Sequence, residues 1–336
     1  MTTETPLDGV ELLLADLDGV IYRGPDPIPY AVEGINRASS SMKVGYITNN
    51  AARTDVSVAA HLTDLGLTVA PEEVVTSSQA AVKLLANLVP AGSTILVVGG
   101  EGLRSELEKA GFVCTDSAID GPAAVAQGFA PEVAWTNLAE AAFALGPNAP
   151  GGEIPWIATN NDWTIPQARG TAPGNGTLVS AVHTAVGRFP VVAGKPEVAI
   201  FEAALERFAA ASAIVVGDRL DTDIRGANRA GLRSALVLTG IDQPKQVLAA
   251  ATGERPQYIL EDCRGLFEPY PQTLIEETDG IVITTVGDAT VARRGGDIRI
   301  IETGTGLNLL RAGAATIWNS GLSIYGLDVP TELHSK

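Results

Sequence analysis

The stretch VELLLADLDGVIY, residues 10–22, constrains the fold more than any other part of the chain. Val10 to Ala15 is a strand-length apolar run that stops abruptly at Asp16-Leu17-Asp18-Gly19. A run this uniformly apolar reads as a strand covered on both faces, the environment found inside parallel sheets. The same design returns in KVGYITNN (43–50), in AIVVGD (213–218) and in SALVLTG (234–240). Helical stretches separate these strands: Ala31 to Ser40, Asp55 to Leu65 closed by Gly66, PEVAIFEAALERF (196–208), and TDIRGANRAG closed by Gly231. Strand–helix alternation predicts an α/β fold with a Rossmann-like parallel sheet and covering helices.

Between these strands lies a second pattern of the same kind. A helix is expected over Gln79 to Leu88, a strand at STILVVGG (93–100), and a helix closed by Gly111. Further strands are expected at Val133 to Thr136, Pro155 to Thr159 and PVVAG, with a helix from Leu178 to Val186. Thr164 to Gly176, rich in Pro and Gly, reads as loop. Gly99, Gly100 and Gly102 read as a strand-to-helix turn, since the phosphate-loop lysine and the dinucleotide spacing are both missing. The expected partition is a host core in two parts, 1–78 and 191–268, an inserted α/β unit at 79–190, and a small α+β extension at 269–336. Insertion at a loop tip leaves the host strands free to pair. The extension carries Val/Ile/Thr-rich runs separated by glycines, which suggest antiparallel strands, followed by a helix in LNLLRAGAATIWNSG.

Composition narrows the partners. With 46% hydrophobic and 18% charged residues the chain has ample material for a core. The formal charge of −16 argues against nucleic acid and anionic membranes, which reward a basic surface. Two cysteines, Cys114 and Cys263, make no disulfide framework. With no basic leader and no run of eighteen apolar residues, the expectation is a soluble cytoplasmic protein.

The acids that end the strands carry the chemistry. Asp16 and Asp18 stand two residues apart, where ligands sit in open parallel sheets, and Gly19 lets the backbone turn. Paired carboxylates repel unless a cation offsets them, and Mg²⁺ prefers such oxygen ligands. A solvated turn is the bland alternative. Asp218, Asp221 and Asp223 follow a second apolar run and can complete the same metal site; helix capping is the other reading, and both can hold, with Asp218 on the metal and Asp221 or Thr222 at the cap. Thr48 and Asn49 end a third strand and can hold an anion, although both are also common turn residues. Lys195 can offset carboxylates and a phosphate, against the reading of a surface lysine. His61, His183 and His334 are scattered. None is assigned to catalysis, and a substrate contact by His183 is weighed against an ordinary helix position.

Together, Asp16-Leu17-Asp18-Gly19, Thr48-Asn49-Asn50, Gly194-Lys195-Pro196 and Gly217 to Ile224 resemble the haloacid dehalogenase superfamily. Within it the resemblance is to subclass IIA, the NagD-like and p-nitrophenyl phosphatase-like proteins, and it covers residues 10 to 265. GGEGLRSELEKAGF, IATNNDWTIP and GTAPGNGTLVSAV match its cap. The resemblance implies a Mg²⁺-dependent phosphatase working through an aspartyl phosphate. Asp16 would be nucleophile, Asp18 general acid and base, and Thr48, Asn49 and Lys195 the phosphate-binding groups, with Lys195 also bridging to Asp16. Asp16, the Asp18 carbonyl and Asp218 would hold the metal, with Asp221 and Asp223 supporting. The cap would select substrate through Asn161, Asp162, Trp163 and the segment from Gly170 to Gly176. Trp135-Thr136-Asn137 takes the place of the family's Gly-Leu/Ile-Asp-like strand end, with core packing the plain reading of Trp135.

Small phosphomonoesters fit a closed cap. The Ala/Gly/Pro-rich composition is similar to that of actinobacterial members, and those with an added C-terminal domain resemble glycerol-3-phosphate phosphatases, which puts glycerol 3-phosphate first. Phosphoglycolate, 4-nitrophenyl phosphate, sugar phosphates and pyridoxal phosphate are the alternatives. In related longer members the extension resembles a small, degenerate acetyltransferase-like domain. Its expected role is packing on the host or on a second subunit, as in a homodimer, and Trp318 is expected in the core. A phosphotransferase sharing the intermediate and a non-catalytic small-ligand binder are the competing classes.

Overall fold

The computed structural model describes residues 4–147, 149, 152–167 and 169–335. They divide into two compact units, residues 4–43 with Ser212–335, and Val44–Ala211.

In the first unit Leu12–Ala15 pairs in parallel with Ala213–Gly217, which pairs with Arg233–Val237, which pairs with Tyr258–Leu260. Leu12, Leu13 and Leu14 are all fully buried, as the unbroken apolar run predicts for a strand covered on both faces. Each such side chain contributes about 1.5–3 kcal/mol of burial. The expected helix after Asp218 is a single wide turn, Leu220–Ile224, followed by a short helix, Arg225–Arg229. Gly231, at φ 70°, ends it.

The extension joins this unit. Four antiparallel strands, Thr273–Thr278, Ile281–Val286, Ala289–Arg294 and Asp297–Glu302, pair in sequence order. The helix Gly306–Trp318 is capped by the Thr305 hydroxyl, which accepts the Asn308 N–H at 3.3 Å. Val286, Val291, Ile298, Leu309, Leu310 and Ile317 form one continuous core with Leu236, Val247, Leu248 and Ile259 of the host. Trp318 is partly buried against that core, and its indole N–H donates to the Val247 carbonyl at 3.2 Å. Residues 286–317 thus pack on the part of this unit that carries the parallel strands.

In the second unit Lys43–Thr48 pairs in parallel with Val74–Thr76. Thr76 opens the next helix through a reciprocal cap, its hydroxyl and the Gln79 side chain each accepting the other's N–H at 3.2 Å. Five parallel strands follow, in the order Val191–Val192, Trp156–Ala158, Ala124–Gln127, Thr94–Val98 and Val113–Thr115. Gly100 stands at the start of the helix Glu101–Lys109 and Gly102 within it. A Cβ at Gly102 would lie 2.4 Å from the Arg53 carbonyl, so the expected turn is a place of close backbone approach.

Two expectations fail in this unit. Val133 to Thr136 is not a strand: the helix Trp135–Leu145 begins inside it, because the Asn137 side chain accepts the Ala134 N–H at 2.9 Å and caps it. Trp135 consequently lies 77% exposed rather than in the core. The apolar strand is Ala124–Gln127, which ends in Gly128-Phe129-Ala130. Thr164 to Gly176 is not all loop either. Thr164–Gln167 and Gly170–Pro173 form an antiparallel pair, and the helix Asn175–Val186 has already begun at its end. Isolated two-stranded ribbons accept Pro and Gly at edges that a larger sheet would refuse. Among the described residues no helix is long and apolar enough to cross a membrane.

Candidate active site

In the first unit the strand ends bring acids together. Asp16, Asp218 and Asp223 each offer a carboxylate oxygen within 4.8 Å of the others, and all three are buried. Asp16 is fixed by its own N–H, which donates to the Val216 carbonyl at 2.9 Å. Asp218 is 1% exposed, and its Oδ2 accepts the Ile241 N–H at 2.7 Å. Asp223 accepts the Arg219 N–H at 3.2 Å, a bond made across the wide turn. Three buried carboxylates this close repel strongly unless a cation joins them. Their hard oxygen donors suit Mg²⁺, so the residues present fit that ion.

Two glycines make room for this cluster. A Cβ on Gly19 would fall 2.2 Å from Asp218 Oδ2, and one on Gly240 would fall 1.9 Å from the same oxygen. Gly19 is also left-handed, at φ 83°. Asp18, just before it, is exposed. Thr239 ties the two glycine turns together, its hydroxyl donating to the Gly19 carbonyl at 2.7 Å. The main chain of Asp218 is held too, its carbonyl accepting the Asp242 N–H at 3.1 Å. The Asp242 carboxylate accepts the Leu220 N–H at 2.6 Å, and burial raises it above its ordinary range.

The turn Thr239-Gly240-Ile241 was not singled out from the sequence. Its one signal is a glycine directly after an apolar strand. Asp221 departs from the cluster: it is exposed and takes the Arg219 guanidinium at 3.0 and 2.8 Å. It makes no helix cap, and neither does Thr222, because the wide turn begins at Leu220 and Asp223 satisfies the free N–H there.

In the second unit Thr48 and Lys195 are both 3% exposed, so Lys195 is no surface lysine. Its ammonium donates to the Ile47 carbonyl at 3.4 Å. The Thr48 hydroxyl accepts the Asn50 N–H at 3.0 Å and shapes the turn after the strand. Asn49 accepts the Lys195 N–H at 2.8 Å and donates to the Lys195 carbonyl at 3.0 Å and to both Asp162 oxygens at 3.2 Å. Asn161 and Trp163, beside Asp162, are exposed. His183 is a helix-end residue, its ring stacked on Phe189 at 3.7 Å and its Nδ1 3.0 Å from the Arg188 carbonyl.

The chain as a whole is similar to known proteins. Residues 13–113 match the model of the haloacid dehalogenase-like hydrolases, and residues 192–266 match a second HAD-like hydrolase model. The D-glycerol 3-phosphate phosphatase of Mycobacterium tuberculosis is 40% identical over 311 residues, which cover 92% of this chain and 86% of that protein. The glycerol-3-phosphate phosphatase of Gallus gallus is 35% identical over 73% of this chain and 85% of its own. A solved glycerol phosphate phosphatase from M. tuberculosis in complex with magnesium superposes with a TM-score of 0.81 at 37% identity, covering 95% of this chain and 94% of that one. The p-nitrophenyl phosphatase from Archaeoglobus fulgidus gives 0.70 at 28% identity, over 77% and 98%.

Proposed function

This chain belongs to the haloacid dehalogenase-like hydrolases, and from that premise we propose that it is a Mg²⁺-dependent phosphatase whose substrate is glycerol 3-phosphate. The observation that carries the reading is the buried cluster of Asp16 and Asp218, each directly after a parallel strand, with Asp223 of the wide turn. The relatives named for glycerol 3-phosphate, one matched across 92% of this chain, support the substrate.

When bound, Mg²⁺ neutralises the converging carboxylates and the spreading phosphoryl charge. Asp16, the Asp18 carbonyl and Asp218 are the proposed ligands, with Asp223 supporting them. An Asp16 oxygen attacks phosphorus, the bond from phosphorus to the ester oxygen breaks, and Asp18 gives the leaving glycerol its proton. Asp18 then takes a proton from water as that water attacks the aspartyl phosphate, releasing phosphate and restoring Asp16. Thr48, Asn49 and Lys195 take the phosphoryl oxygens. The small size of Gly19 and Gly240 supports the scheme, because they keep Asp218 seated between two turns.

Residues 79–190 are the proposed substrate-selecting cap on a host of 1–78 and 191–268, supported by the parallel sheet that Thr94–Val98 and Trp156–Ala158 help to build. A cytoplasmic setting and a second copy of the chain as the one macromolecular partner complete the proposal. A panel of small phosphomonoesters, assayed with Mg²⁺ and again after exhaustive EDTA treatment, tests it. Glycerol 3-phosphate among the best substrates, with turnover lost on chelation, is expected. Glycerol 3-phosphate among the poorest, or turnover that survives chelation, contradicts it.

A further inference from the structure

We propose that Asp162 is a positioning residue for Lys195, acting through Asn49, and not part of the substrate-lining surface. The inference rests on the phosphatase reading above, in which Lys195 meets the phosphoryl group. Asn49 and the main chain of Lys195 form a two-point clamp: the Asn49 Oδ1 accepts the Lys195 N–H at 2.8 Å, and its Nδ2 donates to the Lys195 carbonyl at 3.0 Å. That clamp works in one amide orientation only. Turned over, the amide would present NH₂ to an N–H donor and oxygen to a carbonyl.

Asp162 selects the working orientation. Its carboxylate oxygens, each 3.2 Å from Asn49 Nδ2, take the amide's remaining hydrogen. A turned amide would point an oxygen lone pair at this anion, so the charge penalises the wrong state and strengthens the right one. Both sides of the contact are seated by backbone. The Asn49 carbonyl accepts the Ser77 hydroxyl and the Asn160 amide, each at 2.8 Å. Asp162 donates its N–H to Asn160 Oδ1 at 3.1 Å, and its carbonyl accepts the Gly176 N–H at 2.9 Å.

Close approach locks the arrangement. A Cβ on Gly194 would lie 2.6 Å from Asn49 Oδ1, and one on Gly174 would lie 2.2 Å from the Asp162 carbonyl. Lys195, 3% exposed, has little freedom beyond what its own main chain allows, so an error at that main chain moves its ammonium. A displacement of that kind weakens an interaction needed as charge develops, and the loss falls on kcat before it falls on KM.

The test compares Asp162→Ala, Asp162→Asn and wild type on glycerol 3-phosphate and 4-nitrophenyl phosphate, whose leaving groups differ. Melting temperatures check that all three fold. Asp162→Ala is expected to lower kcat at least about tenfold on both substrates, the loss expected for a hydrogen bond to a charged group, with KM held within about twofold. Asp162→Asn, isosteric and still able to accept from Asn49 but without the charge, should recover part of that loss and keeps the test open if the alanine variant does not fold. A KM rise confined to one substrate with kcat unchanged would mean that Asp162 touches substrate and would overturn the proposal. Wild-type kcat in Asp162→Ala would overturn it as well, as would an Asn variant no better than Ala. Inactive wild-type enzyme on both esters would instead refute the phosphatase reading beneath it.

Discussion

Gly240→Ala places one methyl group against Asp218. Its Cβ would stand 1.9 Å from Asp218 Oδ2 and 2.3 Å from the Asp218 Cβ, whereas real Cβ contacts essentially never fall under 3.0 Å. The carboxylate must therefore shift by about 1 Å or the turn must move. The space is closed on the other side by the Gly19 turn, whose own virtual Cβ lies 2.2 Å from the same oxygen. Moving the turn instead breaks the 2.7 Å bond from the Ile241 N–H. Overpacking of this kind costs about 1–3 kcal/mol of stability, and a 1 Å misplacement at a reacting centre costs about 100-fold in rate. The backbone of Gly240 does not lie in the left-handed region, so steric contact alone is tested. Steady-state kcat/KM and the Mg²⁺ concentration for half-maximal rate are the readouts, with Gly253→Ala, where nothing lies within 4 Å, as control. Expected is a loss of about 100-fold with a raised Mg²⁺ requirement in Gly240→Ala and little change in the control. Wild-type kcat/KM at wild-type Mg²⁺ dependence would refute the seating of Asp218.

Two further outcomes concern stability. Asp288 accepts bonds from Asn308 Nδ2 at 2.8 Å and the Thr305 N–H at 3.0 Å, which hold its carboxyl below the usual 3.8. A lowered folded-state pKa gives stability that is present above the unfolded value and is lost as pH falls through the folded one. The melting-temperature advantage of wild type over Asp288→Ala should therefore be full near neutral pH and shrink below about pH 4, and an advantage that grew on acidification would contradict this. Removal of residues 269–336 strips one side from the core around Leu236, Val247 and Ile259. The shortened chain should aggregate or melt far lower by calorimetry, and wild-type melting would show that the extension is not structural.

The strand-end acids were legible because two local signals coincide: an uninterrupted apolar run needs a parallel-sheet interior, and Asp16 and Asp218 each terminate one. Lys195 stood out as a cation beside Gly and Pro in an acidic chain. Other features depend on partners far along the sequence. The Asn49–Asp162 contact spans 113 positions, and nothing near either residue announces it. Gly240 is an ordinary turn glycine until Asp218 is placed against it. The strand Ala124–Gln127 was missed because Ala and Gln carry little strand preference, and its burial comes from its neighbours. Val133 to Thr136 has strand-like composition, but a local cap, the Ala134 N–H donating to the Asn137 side chain, decides for helix.

In the proposed mechanism Asp16 becomes phosphorylated during turnover. Wild-type enzyme mixed with glycerol 3-phosphate and Mg²⁺, quenched in acid within one turnover and digested, should yield a phosphorylated peptide containing Asp16 by mass spectrometry. Asp16→Asn should remain folded, release no phosphate and yield no such peptide. Phosphate release at near-normal rate from Asp16→Asn, or a covalent phosphoryl group on a different residue, would contradict the account.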